Sequence, residues 1–197
     1  MQSLIWGIIG YLAGSCPTGF LVAKYFRGQD IRQFGSHNIG ATNVGRLMGK
    51  KWAIAVSLFD MLKGGIAVLI ASQFTQDDGV LALTGVCAVL GHNFPVWLGF
   101  KGGKGVSTTF GVLAFYDFFN PWSALLSGAI WYVAMRLSNY VSVASMIALP
   151  SAAILTYIFG MPLPYTVASA ALALLSIWRH RANIGRLMNG TESKVRA

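Results

Sequence analysis

Acidic residues are scarce in this sequence of 197 residues, which contains six Asp and Glu and is only 11% charged. A soluble domain of this size carries about 25% charged residues, so six acids cannot wet the surface of a soluble globule. Because 55% of the residues are hydrophobic, we expect lipid to surround most of the chain. The net charge of +9 also occurs in nucleic-acid-binding proteins. In so apolar a chain we interpret it as cytoplasmic loops facing an anionic membrane or substrate, with no nucleic-acid partner.

Cysteine is equally scarce. Cys16 and Cys87 lie inside apolar runs and form neither a Cys-x-x-Cys motif nor any spacing typical of a metal site. The sequence therefore predicts neither a disulfide framework nor a bound metal or cofactor. It has no internal repeat and no low-complexity segment, so we expect one integral membrane domain over residues 1–197.

Long apolar runs dominate the chain. A helix needs about 20 apolar residues to cross the hydrocarbon core. The sequence predicts an all-α polytopic protein of seven membrane helices, with Pro17 as a kink in the first and the fourth helix short: 4–26, 52–74, 80–98, 106–119, 122–137, 141–159 and 163–178.

The basic residues give the orientation. With seven crossings, every Lys and Arg except Lys63 falls on one face of the membrane, in the first loop, the third loop, the fifth loop and the tail. The opposite face receives Asp77, Asp78 and Asp117 and no basic residue. By the positive-inside rule the N-terminus lies outside and the C-terminus in the cytoplasm. Six crossings would move Arg136 and the basic tail to the wrong face.

The first cytoplasmic loop, residues 34–46, interleaves Gly, Ser, Thr and Asn with the single Arg46. Glycine lets backbone N–H groups approach an anion, and hydroxyl and amide side chains add donors. A flexible solvated linker is the alternative, but a plain linker does not need this composition. We interpret the segment as a binding loop.

The third loop, residues 101–109, places Gly and Lys directly before a helix, which suits phosphate binding. It is not a Walker A loop. Leu98 stands where that motif needs its first glycine, and Gly105 stands where it needs Ser or Thr. Nucleotide hydrolysis is therefore not implied.

Further polar residues lie in the tail and inside the membrane. If the last helix continues, His180 and Asn183 share one face with Arg186 nearby; by itself this segment also fits a basic end touching lipid headgroups. Asp60 and Lys63 lie at i, i+3 in the second span, as a structural ion pair or a catalytic one.

Five ordered motifs resemble those of the bacterial acylphosphate-dependent glycerol-3-phosphate acyltransferases, the PlsY family, over residues 3–192. His37 departs from the glycine that is common in the family. The motifs are Gly14-Ser15-Cys16-Pro17-Thr18-Gly19, Gly35-Ser36-His37-Asn38-Ile39-Gly40-Ala41-Thr42-Asn43-Val44, Gly91-His92-Asn93-Phe94-Pro95, Gly102-Gly103-Lys104-Gly105-Val106 and Arg179-His180-x-x-Asn183-Ile184-x-Arg186-Leu187.

The resemblance implies a reaction and its site. An acyl group passes from acyl phosphate to the 1-hydroxyl of glycerol 3-phosphate, which gives lysophosphatidate and phosphate in the first step of phospholipid synthesis. Lys104 with Gly102, Gly103 and Gly105 would hold the acyl phosphate. The acceptor's phosphate would meet Arg46, His180 and Asn183, with further hydrogen bonds or charge from Ser36, Asn38, Thr42, Asn43, Ser142 and Arg186.

The resemblance also implies a bacterial inner-membrane enzyme whose active site faces the cytoplasm. We expect it to be a monomer embedded in membrane lipid and without cofactor or metal. His180 is either a general base or only a phosphate ligand, and a covalent acyl-Ser36 intermediate is the less favoured route.

Two rival classes fit parts of the sequence. A transporter of a phosphorylated solute would also use intramembrane charge and a cationic cytoplasmic site. It would need a matching polar path to the outer face, whose loops are tiny and acidic. A structural subunit would not explain the clustered Gly, Asn, Lys and Arg.

Overall fold

The computed structural model describes residues 1–116, 118 and 121–195, and every regular element in that part of the chain is helical. Asp117, Phe119, Asn120, Arg196 and Ala197 lie outside the described residues, and with them part of the predicted fourth span and the end of the basic tail. The α-helices are α1 (Gln2–Gly14), α2 (Thr18–Arg27), α3 (Ala41–Met48), α4 (Lys50–Ser72), α5 (Asp78–Asn93), α6 (Val106–Tyr116), α7 (Trp122–Ser138), α8 (Val141–Ile158), α9 (Leu163–Arg179) and α10 (Arg181–Met188).

Each predicted apolar run coincides with helix, with differences that proline explains. The first run divides into α1 and α2 at Pro17, which cannot continue the hydrogen-bond ladder. The third run is helical only to Asn93, because Phe94 precedes Pro95 and is pushed out of the helical region. A 3₁₀ turn, Val96–Leu98, completes it.

Four helical stretches are long and apolar enough to cross a membrane: Gln2–Arg27, Lys50–Ser72, Asp78–Leu98 and Val141–Ile158. The helices Val106–Tyr116 and Leu163–Arg179 are apolar but shorter. The count of seven crossings and the orientation stay predictions.

Small residues point inward and large apolar residues point outward, the reverse of a soluble protein. In α4 the buried stripe includes Gly64, Gly65 and Ala67, whereas Phe59 and Ile70 are exposed. Helices in lipid gain little from hiding large apolar side chains and pack through small ones. This arrangement supports the inference that lipid surrounds the bundle.

The short helix α6 is accommodated by burial inside the bundle. Val112 and Leu113 are at most 1% exposed. A Cβ atom on Gly111 would overlap the Met61 carbonyl, so α6 lies directly against the α4 backbone. At the end of α6 the Tyr116 ring stacks on Tyr165 with a centroid separation of 4.4 Å. Because protein rather than lipid surrounds α6, its length does not have to match the hydrocarbon thickness.

Hydrogen bonds define two ends of the bundle. At one end Tyr165 at the start of α9 donates to Asp78 at the start of α5, at 2.7 Å. At the other end Arg179, the last residue of α9, reaches the loop before α6. This second end, called the polar end below, gathers the predicted site residues.

The contact between α4 and α6 predicts different effects for two glycine substitutions. Gly111→Ala forces a methyl group against the Met61 carbonyl, and such overpacking costs about 1–3 kcal/mol. Thermal unfolding of the purified chain in detergent measures the effect as a lower midpoint.

Gly128→Ala is the matched control, because Gly128 also lies inside a helix but has nothing within 4 Å of an added Cβ. It should leave the midpoint unchanged or raise it, since alanine favours helix by about 0.5–1 kcal/mol over glycine. Equal midpoints for the two variants would contradict the close contact.

Candidate active site

The glycine-rich loop before α6 is fixed by hydrogen bonds to all four backbone polar groups of Gly102 and Gly103. The N–H of Gly102 donates to the Asn93 carbonyl at 3.2 Å, and the N–H of Gly103 donates to the His92 carbonyl at 3.0 Å. The Arg179 guanidinium donates to both glycine carbonyls at 2.6–3.0 Å. The loop is therefore a rigid platform whose first two amides are already used within the fold.

The amides that remain for an anion include those at the start of α6, because the first N–H groups of a helix have no partner within it. Gly105 leads into this helix at φ +78°, a left-handed conformation that favours glycine. Any part that Gly102 and Gly103 play in binding comes from close approach rather than from donated hydrogen bonds.

Lys104 stands at the centre of the polar end. Its ammonium donates to the Asn183 side-chain oxygen. Burial lowers the pKa of Lys104 to about 8. The negative charge of Glu192 raises that pKa. The positive charges of Arg186, Arg46 and Arg179 lower it, with Arg186 having the largest effect of the three. These groups lie near enough to act on one ammonium, so residues from the first loop, the third loop and the tail converge here.

The Glu192 carboxylate joins three predicted site residues. It accepts hydrogen bonds from Ser142 at 2.8 Å, from Asn183 at 2.5 Å and from Arg186 at 2.7 Å. Burial raises the pKa of Glu192, but these donors outweigh it and hold the pKa below its usual value. The carboxylate is therefore charged at neutral pH and fixes the direction of each donor.

His180 occupies the junction between α9 and α10. The last helix does not run straight on: it ends at Arg179 and a new helix begins at Arg181. The ring Nδ1 lies 2.8 Å from the Ser176 carbonyl, which can only accept, so Nδ1 carries the proton and Nε2 is the basic atom. Burial, followed by the charge of Lys104, lowers the pKa of His180 to about 4. The imidazole is therefore neutral at physiological pH.

Asn43 organises the first loop from inside. Its side chain is 1% exposed. Its oxygen accepts from the Ser36 N–H at 3.0 Å. Its nitrogen donates to the carbonyls of Ile31, Phe34 and Asn38 at 2.8–3.1 Å. Since both ends of this amide have backbone partners, the structure gives Asn43 a supporting role in holding the loop, and contact with substrate stays a prediction.

The other residues of the first loop lie nearer the surface. Thr42 and Arg46 are exposed, and Ser36 is half-buried. The Asn38 side-chain oxygen accepts from the Gly40 N–H at 2.9 Å and so closes a turn. His37 adopts φ +56°, which explains why a glycine suits that position.

The structure thus joins one group of the predicted site residues by hydrogen bonds, whereas a second group interacts with them only through charge. Hydrogen bonds through Glu192 link Lys104, Asn183, Ser142 and Arg186. His180 and Arg46 are coupled to Lys104 by charge. Among the described residues, the hydrogen bonds of Ser36, Asn38 and Asn43 stay within the first loop.

Sequence reasoning missed Glu192 and Arg179 as parts of the site. Glu192 carried one usable signal, because it is a lone acid in a strongly basic tail. Arg179 resembled any basic residue at a helix end, and its partners are backbone carbonyls that no sequence pattern reveals.

A second polar cluster lies deeper in the bundle. The predicted Asp60–Lys63 pair is present, with 2.7 Å between the carboxylate and the ammonium. His92 joins it, since its Nδ1 lies 2.9 Å from the Lys63 ammonium. Within residues 1–116, 118 and 121–195, no group of three or more His, Cys, Asp or Glu side chains is arranged to hold a metal ion.

Comparison with known proteins gives one consistent family. The family profile "Glycerol-3-phosphate acyltransferase" matches residues 4–190. Proteins with that name from a strain of Thermus thermophilus and from Aquifex aeolicus are 45% and 43% identical to this chain. The alignments cover 99% and 98% of this chain, and 96% and 100% of the relatives.

Two solved structures are similar to this chain over its whole length. Both are crystal structures of PlsY (YgiH), described as an integral membrane glycerol 3-phosphate acyltransferase. The glycerol 3-phosphate form has a TM-score of 0.93 at 41% identity, and the lysophosphatidic acid form has 0.91 at 40%. Each alignment covers 100% of this chain and 96% of the other.

The charges around Lys104 predict opposite pKa shifts for two substitutions. Glu192→Gln removes a negative charge that favours the ammonium, so the Lys104 pKa should fall below about 8. Arg186→Gln removes a positive charge, so the pKa should rise. Competitive labelling of the amine against pH, with the Lys104 peptide followed by mass spectrometry, measures both shifts.

The two variants control each other. Loosening of the site would move the Lys104 pKa in the same direction in both, toward that of an exposed lysine. Shifts of the same sign, or a Lys104 that titrates at its ordinary value of 10.5 in the unmodified chain, would contradict the geometry.

Proposed function

Because this chain belongs to the glycerol-3-phosphate acyltransferase family and is an integral membrane acyltransferase, we propose that it acylates the 1-hydroxyl of glycerol 3-phosphate with acyl phosphate as the donor. The products are 1-acylglycerol 3-phosphate and inorganic phosphate. The observation that carries the proposal is that Arg46 and Arg186 lie close enough to Lys104 at the polar end for their charges to act on its ammonium. Such a cluster of positive charge suits the reaction, since both substrates carry a phosphate.

The two phosphates take different parts of the site. Lys104 and the amides at the start of α6 hold the acyl phosphate, where an ammonium and a helix N-terminus together favour an anion. Arg46 and Asn183 hold the phosphate of glycerol 3-phosphate, and Nε2 of His180 accepts a hydrogen bond from a hydroxyl of the same substrate. Glu192 keeps Ser142, Asn183 and Arg186 in place by hydrogen bonds. Its negative charge also offsets the repulsion between Lys104 and the neighbouring arginines.

The chemistry needs little beyond placement. The acceptor oxygen forms a bond to the acyl carbon, the bond from that carbon to the phosphate oxygen breaks, and phosphate leaves. The hydroxyl proton passes to the departing phosphate, directly or through Nε2 of His180. With a good leaving group, orientation and charge stabilisation supply the rate. A pKa of about 4 makes His180 a weak base and suits it to accepting a hydrogen bond.

An apolar groove beside the site offers a place for the acyl chain. It lies between α7 and α8, has a volume of about 710 Å³ and is lined by Val133, Leu137, Val143, Ile147 and Leu155, among others. Val143 directly follows Ser142, whose hydroxyl bonds Glu192. One end of the groove therefore lies near the polar end of the bundle, and in this proposal the acyl carbon lies in the site while its chain lies along the groove.

The cytoplasmic face of a bacterial inner membrane suits this chemistry, because soluble glycerol 3-phosphate and a membrane-dissolved acyl chain meet there. The basic residues of the polar end support that orientation. The chain acts as a monomer in this proposal, since every group assigned to the site comes from one chain.

Purified protein in detergent, given acyl phosphate and glycerol 3-phosphate, tests the proposal. We expect phosphate release and lysophosphatidate formation in equal amounts, with no requirement for acyl-CoA or acyl carrier protein. Lys104→Met should reduce kcat/KM by about 100-fold or more, as expected for loss of a preorganised charge.

Lys101→Met is the matched control, because Lys101 lies in the same loop but is exposed; it should retain near-normal activity. His180→Ala should raise the KM for glycerol 3-phosphate without changing the shape of the pH–rate profile. Absence of coupled product formation, or equal effects of the two lysine variants, would overturn the proposal.

A further inference from the structure

We propose that Lys63 is a positioning residue for acyl transfer, which acts from inside the membrane through the His92 ring on the glycine loop. The inference rests on the proposed function and adds to it a residue outside the phosphate site. It identifies Asp60, Lys63 and His92 as the support that holds Lys104 at its working position.

Lys63 uses all three of its N–H donors on three separate parts of the chain. Its ammonium lies 2.8 Å from the Cys16 carbonyl at the break between α1 and α2, and 2.7 Å from the Asp60 carboxylate. The third contact is His92 Nδ1 at 2.9 Å. An ammonium only donates, so Nδ1 of His92 accepts and the ring proton is on Nε2. These three bonds fix the ring relative to α1, α2 and α4.

The glycine loop in turn packs directly on the His92 ring. A Cβ atom on Gly103 would overlap the ring at Nε2, so the Gly103 backbone rests on it. The Gly103 N–H also donates to the His92 carbonyl at 3.0 Å. Lys104 is the next residue, so a shift of the ring passes through one peptide unit to the ammonium that contacts substrate.

Stability alone does not account for this cluster. Asp60 is 2% exposed and His92 is 5% exposed. Well-packed apolar residues usually stabilise such a buried position as well as an ion pair does, or better. Ionisable residues within a membrane span are costly and mark functional positions. Apolar packing cannot fix the orientation of a side chain as three hydrogen bonds from the Lys63 nitrogen to three segments of the chain do.

The test separates position from stability. In Asp60→Asn/Lys63→Met both charges are removed together, so no unpaired buried charge remains. We expect kcat/KM for acyl phosphate to fall by about 10- to 100-fold, the range that a displacement of up to 1 Å produces, through a raised KM. The KM for glycerol 3-phosphate should change by less than about twofold. Hydrogen–deuterium exchange of the Gly102 and Gly103 amides should become faster.

Tyr165→Phe is the control, because it removes a 2.7 Å bond to Asp78 at the opposite end of the bundle. It should lower the unfolding midpoint and leave both KM values and the loop exchange unchanged. His92→Gln is a second test if the double variant does not fold. It keeps an acceptor for Lys63 but removes the ring beneath Gly103, and it should reproduce the donor-specific KM rise.

Equal rises in both KM values, or unchanged exchange of the loop amides, would overturn the positioning role. The exchange measurement needs no turnover. Faster loop exchange in a chain that transfers no acyl group from acyl phosphate would therefore refute the proposed function while leaving the structural link intact.

Discussion

The rest of the site depends on the hydrogen bonds that hold the backbone of Gly102 and Gly103 from two sides. On one face the carbonyls of His92 and Asn93 accept its N–H groups, and on the other Arg179 donates to its carbonyls. Gly102 and Gly103 are buried, and a buried backbone N–H or C=O group without a hydrogen-bond partner is costly. Satisfying that need makes the loop rigid and presents Lys104 beside the tail.

The helices could be predicted because their causes are local. Apolar runs of helical length and the kink at Pro17 act within a few residues. The end of α5 before Pro95 has an equally local cause, although the predicted run continued to residue 98. The accommodation of α6 could not be predicted, since it depends on the backbone of α4 at Met61. The position of the break at Arg179 also depends on partners distant in sequence.

The site was predictable in its residue types more than in its connections. Glycine, lysine, asparagine and arginine in the first loop, the third loop and the tail indicated an anion site, and the motifs carried the resemblance that the comparisons support. The structural roles of Glu192, Arg179 and Asn43 come from hydrogen bonds to carbonyls and side chains elsewhere in the fold, which residue type does not reveal. The resemblance implies that Asn43 binds substrate, which stays a prediction; that its amide also holds the loop together was not predictable from the sequence.

The central claim is that one polar site at the end of the bundle opens into the groove between α7 and α8. A crystal structure of this chain with 1-acylglycerol 3-phosphate tests it most directly. We expect the phosphate to lie against Arg46 and Asn183, with the acyl chain in that groove. Two results would contradict this claim. One is an acyl chain in the apolar groove between α1 and α5, beside Leu4, Ile8 and Leu83; the other is a phosphate at the opposite end of the bundle.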